Sequence, residues 1–177
     1  MRVAQPFKRL SSAHQAPILF SSLEAWLSYL ETAHPVCIDM GLERVREVAA
    51  RLPIETKALK IVVGGTNGKG STCAILESIY KTAGYKVGCY TSPHFLAFNE
   101  RIKIQGIEVS DELICEAFEK IESAREGVSL TYFEYGTLAA MIIFSEAYTD
   151  IIILEVGLGG RLDAVNVFDS DCAIVTT

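Results

Sequence analysis

The stretch Gly64-Gly65-Thr66-Asn67-Gly68-Lys69-Gly70-Ser71-Thr72 gathers glycines, a lysine and hydroxyls between a β-branched run and a helical pattern. Glycine lets the backbone approach a ligand closely, and the N–H groups opening a helix favour phosphate oxygens. Thr66, Asn67, Gly68, Lys69, Gly70 and Ser71 are therefore the candidate ATP-binding residues. Lys69 is the candidate catalytic group, its ammonium on the β and γ phosphates, with Ser71 or Thr72 offering a hydroxyl near a metal ion. The strict G-x-x-x-x-G-K-S/T pattern is broken twice, because Val63 holds the first glycine position and Gly70 separates Lys69 from Ser71. A turn that only packs a helix on a strand is the bland alternative, and it leaves the lysine and hydroxyls unexplained.

A second candidate is Glu155, delivered by the apolar run Ile151 to Leu154. An open α/β sheet binds ligands beyond the carboxyl ends of its strands, where a carboxylate can hold magnesium directly or through water. Capping or a structural role fits that position equally well. The glycine-dense Gly157-Leu158-Gly159-Gly160 that follows suggests a backbone that must approach a ligand, and Arg161 either meets an anion or is solvated. His94 stands beside a proline turn and reads as structural, while His14 and His34 form no constellation. Tyr132 and Phe133 can be core aromatics.

These groups need a frame. Leu23, Trp26, Leu27 and Leu30 at helical spacing, after a capping box Ser21 to Glu24, predict a helix ending near His34-Pro35. Leu42, Val45, Val48, Ala49 and Leu52 predict another, stopped by Pro53, with the irregular Val36 to Gly41 between. Ile61 to Val63 reads as a strand, Ser71 to Ala83 as a helix ended by Gly84, and Lys86 to Thr91 as a strand. Ile102, Ile104, Ile107 and Val109 around Gln105-Gly106 predict a peripheral β-hairpin. Helices from Ser110 to about Arg125 and from Phe133 to Tyr148, a buried strand Asp150 to Glu155 and a strand from Cys172 to Thr176 complete the pattern. Strands alternating with helices give an α/β fold with a mainly parallel sheet flanked by helices.

The chain has 177 residues, half of them apolar, enough for a sizeable core in one domain. A net charge of −6 disfavours a broad grip on nucleic acid or on an anionic membrane, so any phosphate binding is local. Cys37, Cys73, Cys89, Cys115 and Cys172 are odd in number and scattered, which suits reduced cytoplasmic thiols better than zinc or a disulfide framework. Met1 to Leu10 has basic residues but no apolar stretch after them, and Leu138 to Phe144 is far too short to span a bilayer.

The phosphate loop Gly65-Thr66-Asn67-Gly68-Lys69-Gly70-Ser71 resembles that of the folylpolyglutamate synthase/dihydrofolate synthase family, in which an extra glycine follows the lysine, rather than that of the related Mur peptide ligases. Ile38-Asp39-Met40-Gly41-Leu42-Glu43-Arg44-Val45, Thr91-Ser92-Pro93-His94, Leu130-Thr131-Tyr132-Phe133-Glu134 and Leu154 to Ala164 are similar to the same family, in order along the chain. The resemblance implies a P-loop-type ATP-binding domain of the Mur ligase superfamily and a cytoplasmic ligase of folate biosynthesis and one-carbon metabolism. It would add L-glutamate to dihydropteroate or folyl polyglutamates through an acyl phosphate made from ATP.

By that resemblance Ser92 and Glu155 bind magnesium. Asp39, Met40 and Gly41 form the pterin-side substrate loop, Thr131, Tyr132, Phe133 and Glu134 a second substrate segment, and Leu162, Asp163 and Ala164 a third. Family members continue with a metal-binding histidine, a modified lysine, adenine-holding residues and a glutamate-binding carboxyl-terminal domain. Residues 1–177 read as the amino-terminal part of the ATP-binding domain, ending within a strand and its following loop. Such a truncated chain is expected to be inactive alone and prone to association through exposed apolar surface, whereas the whole enzyme is expected to be a monomer. The alternatives are a Mur-type peptide ligase, a P-loop nucleotide-binding module without ligase chemistry, and a binding fragment that has lost catalysis.

Overall fold

A computed structural model of the chain describes residues 20–36 and 39–177. The order of elements is α1 (Leu23–Leu30), α2 (Glu43–Ala49), β1 (Leu59–Gly64), α3 (Lys69–Thr82), β2 (Val87–Tyr90), β3 (Ile102–Ile104), β4 (Ile107–Glu108), α4 (Asp111–Arg125), α5 (Tyr132–Glu146), β5 (Ile151–Glu155) and β6 (Cys172–Val175). They form a six-stranded sheet in the order β4-β3-β2-β5-β1-β6. The β2, β5, β1 and β6 strands run parallel, while β2-β3 and β3-β4 pair antiparallel. The mainly parallel sheet predicted from the alternation of strands and helices is present, and its antiparallel edge is the hairpin.

Period-two alternation divides the core. Ile61, Val63, Val87, Cys89, Ile151 and Ile153 face α3, whose Cys73 completes that cluster. Val62, Tyr90, Ile152 and Leu154 face the other way, into a larger core with α5, α4, α1 and α2. Tyr135 to Ser145 of α5 are buried throughout, which explains an apolar helix with little amphipathic contrast. Gly88 lets α5 come close to β2, since a Cβ there would stand 2.6 Å from Phe144 Cδ1. The parity also carries Glu155 to the α3 side, where the phosphate loop lies.

Several expectations need correction. Ser22 rather than Ser21 caps α1, its side chain accepting the Ala25 amide at 3.3 Å, so no capping box forms with Glu24. The helix ends at Leu30, and residues 31–36 form turns and bends rather than a further helical turn. Helix α3 starts at Lys69, two residues before the predicted Ser71: Gly68, at φ 78°, is its N-cap, and Lys69 and Gly70 lie in the first turn. The hairpin is peripheral as expected: β3 pairs with β2 and β4 forms the edge of the sheet. Its turn residues Gln105 and Gly106 both have positive φ, 56° and 75°, as a tight two-residue turn requires. Within Val36 to Gly41, positions 37–38 lie outside the described residues, as does the lead through residue 19 with His14. No helix among the described residues is long and apolar enough to cross a membrane.

Candidate functional site

A cleft of about 450 Å³ opens at the carboxyl ends of β1, β2 and β5. Its lining brings together Asp39, Met40 and Gly41, then Lys69, then Ser92, then Thr131 to Glu134, then Leu162, Asp163 and Ala164. Segments from five places in the sequence thus share one concavity, the arrangement expected of a ligand site.

The phosphate loop follows β1 directly. In α3 the amides of Lys69, Gly70 and Ser71 precede the first intrahelical acceptor, for the earliest bond is Thr72 N to Gly68 O at 2.9 Å. Those donors, at the positive end of a 14-residue helix, are an anion platform. Thr66, Asn67, Gly68, Gly70 and Ser71 are exposed. The Asn67 amide donates to Thr177 O at 2.6 Å, and the Gly64 carbonyl accepts the Thr176 amide at 2.8 Å, so the end of β6 lies along the loop. Gly65, at φ 136°, sits against Thr176 with no room for a side chain. Lys69 Nζ donates to Gly65 O at 2.9 Å and Thr66 O at 3.4 Å, folded back on its own loop.

Across the loop, Glu155 is 5% exposed and its Oε2 accepts the Ser92 amide at 3.0 Å. Its Oε1 lies toward α3, 3.8 Å from where a Cβ on Gly70 would stand. The Ser92 hydroxyl flanks Gly157, 3.3 Å from the corresponding Cβ position there. The two candidate metal ligands are therefore adjacent, on neighbouring strand ends, beside the phosphate loop. Among the described residues no group of three or more His, Cys, Asp or Glu stands together as a metal site.

The remaining walls are tied to one another. Arg44 donates from NH1 to Asp39 Oδ2 at 2.7 Å and from NH2 to Glu134 Oε1 at 3.1 Å. Glu134 Oε2 accepts the Thr131 amide at 2.7 Å while Thr131 Oγ1 accepts the Glu134 amide at 3.2 Å, a capping box that opens α5. Asp163 is buried: its oxygens accept the amides of Leu158 and Val165 at 2.8 and 3.1 Å. Burial raises its pKa, with those backbone donors opposing the rise. The carboxylates of Glu134 and Asp163 thus shape the cleft, and Tyr132, Phe133, Met40 and Leu162 supply its apolar surface. Tyr132 and Phe133 are half-buried cleft aromatics rather than closed core.

The glycines after β5 serve the walls. A Cβ on Gly157 would stand 2.8 Å from the Phe133 ring, and Met40 packs onto Gly159, which has φ 74°. The close approach expected there is made by side chains of the same cleft. Arg161 is exposed and does not line it.

Sequence reasoning missed two arginines. Arg44 gives no signal, because one basic residue on an amphipathic helix is ordinarily solvated. Arg101 hides at the entry to a hairpin read as peripheral, yet it lines the cleft. Its Nε donates to His94 Nδ1 at 2.7 Å, so His94 is a structural partner, as its setting beside Pro93 suggested. Burial, and then the Arg101 charge, lower the His94 pKa. Deep in the same wall, burial pushes the Tyr90 phenol up to about 12. His34 is not isolated either, its Nε2 lying 3.5 Å from Asp39 Oδ2.

No family model matches the chain. The dihydrofolate synthase/folylpolyglutamate synthase of Escherichia coli K12 is 54% identical over 164 residues, which cover 92% of this chain and 39% of that protein. The structure of Escherichia coli FolC in complex with DHPP and ADP aligns with a TM-score of 0.86 at 56% identity, covering 88% of this chain and 38% of that one. A Yersinia pestis bifunctional folylpolyglutamate synthase/dihydrofolate synthase complexed with AMPPNP and Mn ion aligns with a TM-score of 0.85 at 52% identity, covering 91% and 40%. Over about nine tenths of its length the chain is therefore similar to the dihydrofolate synthase/folylpolyglutamate synthase family, and it spans about two fifths of the length of the curated relatives it matches.

Proposed function

We propose that this chain forms the nucleotide and pterin half-site of an ATP-dependent ligase that joins L-glutamate to dihydropteroate or to folyl polyglutamates. The observation that carries the reading is the single cleft in which Lys69, Ser92 and residues 39–41, 131–134 and 162–164 meet. Its apolar and aromatic walls suit a flat heterocycle, and the adjoining helix start suits phosphates. The relatives solved with ADP or AMPPNP and with DHPP support the same pairing of ligands.

The reaction follows from the poor electrophilicity of a carboxylate. A substrate carboxylate oxygen attacks the γ phosphorus of ATP, the bond to the bridging oxygen of ADP breaks, and an acyl phosphate results. The free amine of glutamate then attacks the acyl carbon, the amide forms, phosphate leaves, and the amine proton passes to solvent. The loop amides of Lys69, Gly70 and Ser71 hold phosphate oxygens, and Lys69 turns from Gly65 O and Thr66 O onto the transferring group. No covalent enzyme intermediate is required.

The fit to a divalent ion is sound: Glu155 accepts the Ser92 amide through Oε2 and turns Oε1 toward the start of α3, so a carboxylate and a serine hydroxyl, both hard oxygen donors, stand on adjacent strand ends at the edge of the phosphate site. Ser92 and Glu155 would hold magnesium, with phosphate and water oxygens completing its shell, and the ion would neutralise charge on the phosphates. Gly70 between Lys69 and Ser71 argues against the Mur peptide ligase alternative.

The test is thermal stabilisation by magnesium-ATP and by dihydropteroate, each alone, because a ligand of the native state raises the melting temperature. Both should stabilise the chain, and Lys69→Ala should abolish the ATP effect while keeping the pterin effect. Absence of both shifts in the unmodified chain would overturn the reading.

A further inference from the structure

Arg101 closes the 3-10 turn Phe98–Arg101, and its carbonyl accepts the Thr91 amide at 2.9 Å. The backbone is thereby fixed one residue from Ser92, across the β2-β3 pairing. The side chain is held as firmly. Its Nε donates to His94 Nδ1, and its Cζ lies 5.5 Å from the ring centroids of both Phe98 and Tyr132. Aromatic packing and one hydrogen bond thus occupy the inner part of the guanidinium. Among the described residues its terminal nitrogens make no hydrogen bond of ordinary distance and angle, and its charge acts on the buried Tyr90 phenol, whose pKa burial raises and Arg101 lowers.

The charges lining the cleft are otherwise committed. Asp39 and Glu134 share Arg44, Asp163 holds backbone amides, and Lys69 belongs to the phosphate loop. Arg101 and Lys69 are the cleft-lining cations without an acidic partner among the described residues. A guanidinium stays protonated at any working pH, and one already fixed between two rings loses little further freedom on pairing with a planar anion. Its partner should be a carboxylate, since carboxylate geometry matches the two terminal N–H groups.

We propose that Arg101 binds the carboxylate end of the pterin-type substrate, orients it beside Ser92, and so selects carboxylate-bearing ligands over neutral analogues of the same ring system. This rests on the folate-ligase reading of the cleft. His94 acts as a positioning residue, keeping Nε occupied so that the terminal N–H pair faces the ligand.

The experiment is equilibrium binding of pteroate and of its carboxamide, pteroamide, to the unmodified chain, to Arg101→Gln and to Arg101→Lys, with magnesium-ATP titrated into each. The unmodified chain should bind pteroate at least ~10-fold more tightly than the carboxamide, as expected when one charge-assisted pair is lost. Arg101→Gln should remove that preference, leave carboxamide affinity within about two-fold, and leave magnesium-ATP binding in place; Arg101→Lys should restore part of it. Equal affinity of the unmodified chain for the two ligands would refute the carboxylate assignment while leaving the folate reading intact, and needs no variant to be folded. Equal weakening of both ligands by Arg101→Gln would reduce Arg101 to ring packing. Failure of the unmodified chain to bind either ligand, with magnesium-ATP still bound, would overturn the folate reading and this proposal with it.

Discussion

The guanidinium of Arg44 lies 3.1 Å from Glu134 Oε1, joining α2 to the first turn of α5 across 90 residues of sequence. Glu134 is 3% exposed, and its buried carboxylate is met by that guanidinium and by the Thr131 amide. The same guanidinium holds Asp39 through both its side chain and its carbonyl. One side chain therefore sets the spacing between two walls of the cleft.

Replacing Arg44 by Met should cost roughly 2–4 kcal/mol of folding stability, because a buried carboxylate loses its counter-charge. Urea unfolding would measure the loss, and the double variant Arg44→Met with Glu134→Gln should recover much of it. A single-variant loss below about 0.5 kcal/mol would show the pair to be solvated like a surface bridge.

Glu100 accepts the amides of Phe95, Leu96 and Ala97 at 2.9, 2.6 and 2.7 Å. Those backbone donors lower its pKa to about 2 from the usual 4.5. A depressed carboxylate contributes stability that is present above the unfolded pKa and lost as pH falls through the folded one. The clamp should hold above pH 4.5 and loosen progressively toward pH 2. Phe95 and Leu96 are 88% and 96% exposed, so their side chains add little to hold the segment. Protection of these three amides, measured against the intrinsic exchange rate at each pH, should fall in that window, and at neutral pH in Glu100→Ala. Unchanged exchange in Glu100→Ala would show the loop to be fixed by its neighbours.

The parts of the site visible in the sequence were those written locally. The phosphate loop announces itself because glycine, lysine and hydroxyls follow a β-branched run. Glu155 does so because Ile151 to Leu154 can only be a buried strand and a charge must lie at its end. The candidate substrate segments 39–41, 131–134 and 162–164 came from family resemblance, not from local physics, since Met40 or Phe133 alone looks like core. Arg44 and Arg101 were illegible because their partners, Glu134 and Tyr132, are far away in sequence or belong to another element. Helix ends shifted for a related reason: Gly68 can adopt φ 78° and serve as an N-cap, so α3 begins inside the glycine-rich loop.

Phe133 and Gly157 test whether the glycines after β5 exist for the cleft wall. Gly157→Ala would set a methyl 2.8 Å from the Phe133 ring, closer than carbon atoms approach. The ring must move, at a cost of about 1–3 kcal/mol for overpacking, and pteroate affinity should fall with it. Phe133→Leu in the same chain should recover stability but not affinity, because the aromatic surface is then missing. Recovery of both would show that this wall needs volume rather than a ring. Thermal melts and pteroate titration on the unmodified chain and the two variants separate these outcomes.

Glu155 gives the sharpest division between folding and chemistry. Its Oε2 accepts the Ser92 amide, and a glutamine can keep that bond through its carbonyl oxygen. Glu155→Gln should therefore fold with a change of under about 1 kcal/mol, and burial of a neutral amide in place of a charge offsets part of any loss. What the variant lacks is a negative oxygen facing the start of α3, the group proposed to hold the divalent ion. Stabilisation by ATP should then lose its dependence on magnesium: the shift with ATP and excess chelator should equal the shift with magnesium-ATP. In the unmodified chain the magnesium complex should stabilise more. If Glu155→Gln keeps the full magnesium dependence, the carboxylate is a structural acceptor for Ser92 and the ion is held elsewhere.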